Sequence, residues 1–126
     1  MNLNQVTISS TDVAKATKFY KKLGLRLIVD ALPRYVRFEC PDGEATFSIH
    51  HVEKMSESHN ITLYFENATL DEKVIELQAK GINFISLPED KSWNWREAHL
   101  HDLDGNKLIL FKAGKDRKNP PWRVDG

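Results

Sequence analysis

The feature that most constrains the fold of this 126-residue chain is a strand pattern that occurs twice around an Asp-Gly pair. Residues 101–111 read HDLDGNKLILF, and residues 40–49 read CPDGEATFSI. An Asp-Gly pair between two strand-like runs is the strongest short-range signal for a β-hairpin. Two such hairpins, each preceded by a strand pattern and a helix pattern, predict a duplicated module.

Each half of the chain contains one helix pattern. In residues 13–23, apolar residues recur at three- and four-residue spacing, which is typical of an amphipathic helix. Thr11-Asp12 supplies the N-cap, and Gly24 supplies the C-cap. The second half repeats this pattern in residues 69–80, with Gly81 directly after them.

Strand patterns surround both helices. They cover residues 3–9, 25–29, 35–40 and 45–52 in the first half, and 60–66, 82–87, 95–101 and 107–111 in the second half. Pro88 ends one of these strands because proline has no N–H for a ladder bond, and residues 88–93, PEDKSW, are predicted as a loop. The repeat therefore predicts a first module at residues 1–57, a second module at 58–113 and a polar tail without regular structure at 114–126.

The composition excludes several classes of function. The 18 basic residues balance the 18 acidic ones, so we expect no electrostatic attraction to nucleic acid or to an anionic membrane. No apolar run approaches the ~20 residues that a membrane span needs, and the N-terminus lacks the pattern of a signal peptide. Cys40 is the only cysteine; it permits no intramolecular disulfide, fits a reducing cytoplasm and is expected to be a small core residue. We expect a cytoplasmic protein.

Alternation along the strands predicts one sheet face that the helices leave uncovered. Apolar positions such as Phe47 and Ile49 point towards the helix, and their neighbours point away from it. The uncovered face collects mainly polar and aromatic residues. They include Gln5, Arg37, Glu39, Ser48, His50, Asn60, Tyr64, Glu97, His99, His101, Ile109 and Phe111. Since concave sites with a few convergent polar groups are the default binding sites, we expect this α+β fold to curve the face into a cup.

Three segments carry a resemblance to a known family. They are STDVAKATKFYKKLGL, TLDEKVIELQAKGINF and WREAHLHDLDGNKLILF. In their order and spacing, the chain resembles the vicinal oxygen chelate superfamily, also called the glyoxalase/bleomycin-resistance/extradiol-dioxygenase family. The resemblance implies two βαβββ modules that form a U-shaped cup, usually within a homodimer.

The resemblance also implies where a metal would bind. In metal-dependent members, the first and last strands of both modules supply the ligands, typically His or Gln, Glu, His and Glu. The corresponding positions here are Gln5, Ser48, Asn60 and Ile109. Isoleucine cannot coordinate a metal, and the other three side chains carry no charge, whereas divalent ions favour carboxylate, imidazole or thiolate ligands. We therefore expect the family's usual metal site to be absent and no cofactor to be needed.

A displaced metal site is the alternative. His50, His99 and His101 lie on the predicted open face, with Glu97 or Glu39 near them, and this set suits nickel, zinc, manganese or iron. In the other interpretation, these histidines line the pocket and form hydrogen bonds with acidic or phenolic neighbours.

The function predicted from these residues is the binding of a small organic molecule in the cup. Tyr35, Tyr64, Trp93, Trp95 and Phe111 can supply aromatic walls; in the other interpretation they are ordinary core or rim residues. Glu97 is the best candidate for a general base, which would make it catalytic. The alternative function is that of a metal-dependent enzyme, either a lyase or isomerase similar to lactoylglutathione lyase or a dioxygenase-like member of the superfamily.

Overall fold

The computed structural model describes residues 1–58 and 60–125. By its internal contacts, the chain divides into a first unit, made of Met1–Asn60 and Asp102–Gly105, and a second unit, made of Ile61–His101 and Asn106–Gly126. The predicted α+β class with two βαβββ repeats is confirmed, because each unit contains a four-stranded sheet and one α-helix. No helix within the described residues is both long enough and apolar enough to span a bilayer.

The first unit contains a mixed sheet covered by one helix. Its elements are β1 (Gln5–Ser10), α1 (Val13–Leu23), β2 (Arg26–Ala31), β3 (Tyr35–Glu39) and β4 (Thr46–His51). The strand order is β1-β4-β3-β2. Strands β1 and β4 pair in parallel, and the other neighbours are antiparallel.

Helix α1 begins and ends where its capping residues predict. The Asp12 carboxylate accepts a hydrogen bond from the Lys15 backbone N–H at 3.1 Å, and Gly24 adopts the left-handed conformation with φ 116°. The buried stripe of the helix packs on β3 and β4. At its centre, the Tyr20 ring lies 4.8 Å from the Phe47 ring and 6.3 Å from the Phe38 ring.

The second unit repeats this arrangement. Its elements are β5 (Thr62–Glu66), α2 (Leu70–Ala79), β6 (Ser86–Asp90), β7 (Arg96–His101) and β8 (Lys107–Lys112). The strand order is β5-β8-β7-β6, with β5 and β8 parallel. The buried residues of α2 are Leu70, Val74 and Leu77, and the apolar core of this unit also contains Leu100 and Leu108.

Strand β6 differs most from the prediction, and the other strand boundaries differ from it by at most two residues. The strand expected at residues 82–87 is β6, which begins at Ser86 and runs through Pro88 to Asp90. Proline is tolerated because β6 is an edge strand and its register with β7 shifts between Ser86 and Glu89, so no ladder bond requires the missing N–H. Asn60, expected on the first strand of the second module, precedes β5, which begins at Thr62.

The tail and the second Asp-Gly turn also depart from the simple repeat. The tail, expected to lack regular structure, contains a short 3₁₀-helix at Gly114–Arg117. The turn Asp102–Gly105 joins β7 to β8 but belongs to the first unit. There the buried Tyr20 hydroxyl donates a hydrogen bond to the Asp102 carboxylate at 2.6 Å, and the Thr11 backbone N–H donates one to Asp104 at 3.3 Å. The turn of the second hairpin is thus part of the first unit.

Candidate functional sites

Each sheet has a face that does not pack on its helix. On the first sheet this face, termed the first open face, consists of Gln5, Thr7 and Ser9 on β1, Tyr35, Arg37 and Glu39 on β3, and Thr46, Ser48 and His50 on β4. The strand register places these residues side by side, so Gln5, Arg37, Glu39, Ser48 and His50 share one face as the alternation predicts.

A hydrogen-bonded network crosses the first open face. The Gln5 amide donates to the Ser48 hydroxyl at 2.7 Å, and the Tyr35 and Ser48 hydroxyl groups are 2.7 Å apart. The Arg37 guanidinium donates to the Tyr35 oxygen at 2.9 Å. Hydrogen bonding to Ser48, together with Arg37, lowers the pKa of the Tyr35 phenol. The network satisfies Ser48, whose side chain is fully buried.

The remaining predicted residues of this face have local partners. Glu39 forms an ion pair with Arg26 at 3.0 Å, and Nε2 of His50 lies 2.9 Å from the Ser9 hydroxyl. These contacts orient both side chains along the sheet.

The second open face is the corresponding face of the second sheet. Tyr64, Ile109 and His99 form one row across β5, β8 and β7, and Phe111 pairs with Glu97 in the next row. Ile109, Phe111 and Glu97 are each 4% exposed, whereas Tyr64 is 53% exposed. Predicted ligand residues therefore lie together on this face, but Ile109 and Phe111 are buried.

Three aromatic rings pack together on the second open face. The Trp95 and Phe111 rings are stacked, with centroids 4.6 Å apart and planes at 16°. The Tyr64 ring meets both edge-on, at 6.0 Å from Trp95 and 5.8 Å from Phe111. Stacked and edge-to-face arrangements are the favoured geometries for such rings, so the orientation of Trp95 is fixed by packing.

Next to these rings lies the buried carboxylate of Glu97. One carboxylate oxygen accepts a hydrogen bond from the Trp93 indole N–H at 2.8 Å, and the other lies 2.8 Å from Nε2 of His99. Both oxygens of the residue expected to act as a general base are thus engaged. The His99 side chain is 21% exposed.

The histidines proposed as alternative metal ligands have separate surroundings within each unit. His99 contacts Glu97, His50 contacts Ser9, and His101 is exposed at the end of β7 beside Lys107. Asn60 is exposed and precedes β5. Across residues 1–58 and 60–125, no group of three or more His, Cys, Asp or Glu side chains is arranged to hold a metal ion.

A cavity of about 640 Å³ opens in the second unit, where β5 and β8 end and the loop between β6 and β7 turns. We refer to it as the loop cavity. Its lining residues are Glu66, Ala68, Asp90, Lys91, Asn94, Trp95, Arg96, Lys112, Ala113 and Gly114. Trp95 is the predicted ligand residue in this lining. Of the others, Glu66 and Arg96 lie on predicted strands, and the rest follow predicted strands or lie in a loop without periodicity.

Ion pairs hold the rim of the loop cavity. The Arg96 guanidinium forms two bonds to the Asp71 carboxylate, at 2.9 and 3.1 Å, and one to Asp90 at 3.0 Å. Hydrogen bonding to Arg96 lowers the pKa of Asp71. On the opposite side, one Glu66 oxygen accepts the backbone N–H groups of Ala113 and Gly114, both at 3.0 Å.

Comparison with known proteins agrees with this architecture. Residues 2–110 match the sequence model of the Glyoxalase/Bleomycin resistance protein/Dioxygenase superfamily. The chain is 27% identical to the uncharacterised protein YraH of Bacillus subtilis (strain 168), in an alignment that covers 89% of this chain and 98% of YraH.

Solved structures share its fold. A glyoxalase/bleomycin resistance protein/dioxygenase from Nocardioides superposes with a TM-score of 0.78 at 20% identity, covering 99% of this chain and 90% of that one. A bleomycin-binding protein complexed with bleomycin superposes with a TM-score of 0.73 at 18% identity, covering 89% and 98%. Since the sequence match spans most of its length, the chain belongs to the Glyoxalase/Bleomycin resistance protein/Dioxygenase superfamily.

Proposed function

We propose that this protein binds a small organic molecule in the loop cavity, with Trp95 as the aromatic wall and without the family's usual metal site. The observation that carries the proposal is the cavity itself. Its volume of about 640 Å³ lies within the ~300–1,000 Å³ that is typical of small-molecule sites. An indole on its wall offers a large, rigid contact surface to a flat ligand.

The wall of the cavity is ordered before any ligand arrives. The Trp95 ring stacks on Phe111, and the Lys91 backbone N–H donates to the Trp95 carbonyl at 2.7 Å. Asn94 closes the turn with φ 67°, a left-handed conformation that asparagine adopts more readily than most residues. A pre-formed wall reduces the conformational entropy that binding costs.

The charges on the rim favour a ligand with a polar group beside its aromatic part. Arg96 is already neutralised by two carboxylates, so it is a support rather than a free cation. Lys112 lies between the cavity and the N-terminus of α2, where its charge, after that of Arg96, helps to lower the pKa of Asp71 without an ion pair within 4 Å among the described residues. Its ammonium group is available to an anionic or hydrogen-bond-accepting substituent.

Binding without the usual metal is supported by the residues at the family's ligand positions. Ile109 is apolar and buried, and the Ser48 hydroxyl is engaged by Gln5 and Tyr35. Neither position offers the carboxylate or imidazole that a divalent ion favours. The complex of the related bleomycin-binding protein supports a small organic molecule as the class of ligand. From the family we further propose a homodimer in the cytoplasm.

A thermal-shift screen of small aromatic compounds tests the proposal. A ligand at about 100 times its Kd stabilises the protein by ~2.7 kcal/mol, and this gain raises the unfolding midpoint. We expect Trp95→Leu to abolish the ligand-induced shift, measured against the variant's own unliganded midpoint. Trp122→Leu is the matched control, because Trp122 is an exposed tryptophan in the tail.

A metal measurement separates this function from the enzymatic alternative. We expect protein purified without added metal to contain less than stoichiometric metal, and its stability to be unchanged by chelator. Stoichiometric binding of nickel, zinc or manganese, abolished by His99→Ala or His101→Ala, would instead establish a relocated metal site and overturn the proposal.

A further inference from the structure

The buried carboxylate of Glu97 controls which nitrogen of His99 carries a proton. The Trp93 indole N–H can only donate a hydrogen bond, and a carboxylate can only accept one. Glu97 accepts from Trp93 with one oxygen and faces Nε2 of His99 with the other, both at 2.8 Å. In the neutral imidazole, the hydrogen must therefore lie on Nε2, and the lone pair must lie on Nδ1.

The other nitrogen of His99 is open. Its Nδ1 forms no hydrogen bond with the described residues, and within the same residues no buried side-chain nitrogen or oxygen lacks a partner. Nδ1 is therefore accessible to solvent. His99 lies in one strand row with Ile109 and Tyr64, on the sheet face that carries the aromatic rings.

We infer that Nδ1 of His99 is the acceptor that this face presents to an O–H or N–H group of an aromatic ligand, and that Glu97, held by Trp93, is its positioning residue. The inference rests on the proposed function for the existence of a ligand, and it concerns the second open face, because His99 does not line the loop cavity and Trp95 is the residue that the cavity and the aromatic rings share. It also assigns Glu97 a role other than that of general base, because both of its oxygens are already engaged. The imidazole, and not the Glu97 carboxylate, accepts the hydrogen bond from the ligand.

The geometry predicts an unusual response to Glu97→Gln. A glutamine side chain has one acceptor oxygen and one donor NH₂ group. Because Trp93 can only donate, the amide oxygen must face Trp93 and the NH₂ group must face His99. The Nε2 atom of His99 then becomes an acceptor, and the ring hydrogen moves to Nδ1.

Nitrogen-15 NMR of the ligand-free protein reads this tautomer directly. Spectra are recorded at a pH at which the two ring nitrogens show the well-separated chemical shifts of a neutral imidazole. The His99 resonances are assigned as those that disappear in His99→Asn. We expect an Nε2–H ring in the wild-type protein and an Nδ1–H ring in Glu97→Gln. An Nδ1–H ring in the wild-type protein, or no change in Glu97→Gln, would overturn the inference.

A double variant tests the part played by Trp93. In Trp93→Phe/Glu97→Gln the indole donor is gone, so the glutamine can turn its oxygen towards His99. We expect the Nε2–H form to reappear. If the ring stays in the Nδ1–H form, Trp93 does not set the orientation of the side-chain amide at position 97. A structural defect shared by both variants would not switch the tautomer in opposite directions.

Matched probes test the role in ligand binding. Phenol carries an O–H donor, and anisole is the same ring with that donor methylated. We expect phenol, but not anisole, to shift the Nδ1 resonance of His99, and this selectivity to be lost in Glu97→Gln. Equal shifts with both compounds, or none with either, would refute the ligand contact. The tautomer is measured on the ligand-free protein and does not depend on the outcome of the thermal-shift screen, so the two proposals can fail independently.

Discussion

Replacing Tyr20 by phenylalanine removes one hydroxyl group from the core of the first unit. The Tyr20 side chain is 0% exposed, and its hydroxyl donates to the Asp102 carboxylate at 2.6 Å. The ring contacts with Phe38 and Phe47 survive the substitution. The loss is therefore that of one buried hydrogen bond to a charged group, which contributes about 1.5–3 kcal/mol.

We expect Tyr20→Phe to lower the free energy of unfolding by about 2 kcal/mol and the midpoint by roughly 6–12 °C, measured by urea and thermal unfolding. A double-mutant cycle with Asp102→Asn isolates the pair, and we expect a coupling energy above ~1 kcal/mol. A loss below about 0.5 kcal/mol with no coupling would refute the reasoning, because the turn would then not be anchored by this bond.

The same bond predicts a dependence on alkaline pH. Burial, followed by the charge of Asp102, raises the pKa of Tyr20 far above its ordinary value. A group whose pKa is higher in the folded state contributes stability that is complete below its unfolded pKa, about 10, and is lost above it. The stability difference between the wild type and Tyr20→Phe should hold to about pH 10 and then fall by ~1.4 kcal/mol per pH unit.

Three further outcomes follow from packing, backbone conformation and charge. Leu100→Ala, at a fully buried side chain, should cost about 2–5 kcal/mol of unfolding free energy, and the volume-conserving Leu100→Met should cost less than ~1.5 kcal/mol. Gly24→Ala should destabilise by about 1 kcal/mol or more, because φ is 116° there. Gly43→Ala should be near neutral, because an added Cβ at Gly43 meets no atom within 4 Å. Arg96 lowers the pKa of Asp71, so the stability contributed by that carboxylate is present above the unfolded pKa of ~3.9 and is lost as the pH falls below it. Removing Arg96 should therefore make the free energy of unfolding depend less on pH in the acid range.

Local signals were enough to predict the repeated fold. Helix α1 has a cap at both ends and an unbroken apolar stripe, and the two Asp-Gly turns lie where the sequence places them. The largest departure is β6, because the effect of Pro88 depends on whether its strand lies at a sheet edge. Edge position is a property of the sheet order, which no local pattern encodes.

The candidate sites were less predictable for the same reason. Alternation correctly placed Gln5 and Ser48 on one face, but it could not show that their side chains bond to each other. It also placed Glu97 on the open face, but it could not show that this carboxylate is buried and bonded to Trp93 in an irregular loop. The loop cavity combines strand ends, that loop and the tail, so its lining could not be read from periodicity.

The most direct test of the central claim is a crystal structure of the protein with the best compound from the thermal-shift screen, grown without added metal. We expect density for the compound in the loop cavity, in contact with the Trp95 indole, and no metal ion at Gln5, Ser48 or Ile109. Density for a metal ion held by histidine or glutamate side chains, or for the compound away from Trp95, would contradict the account.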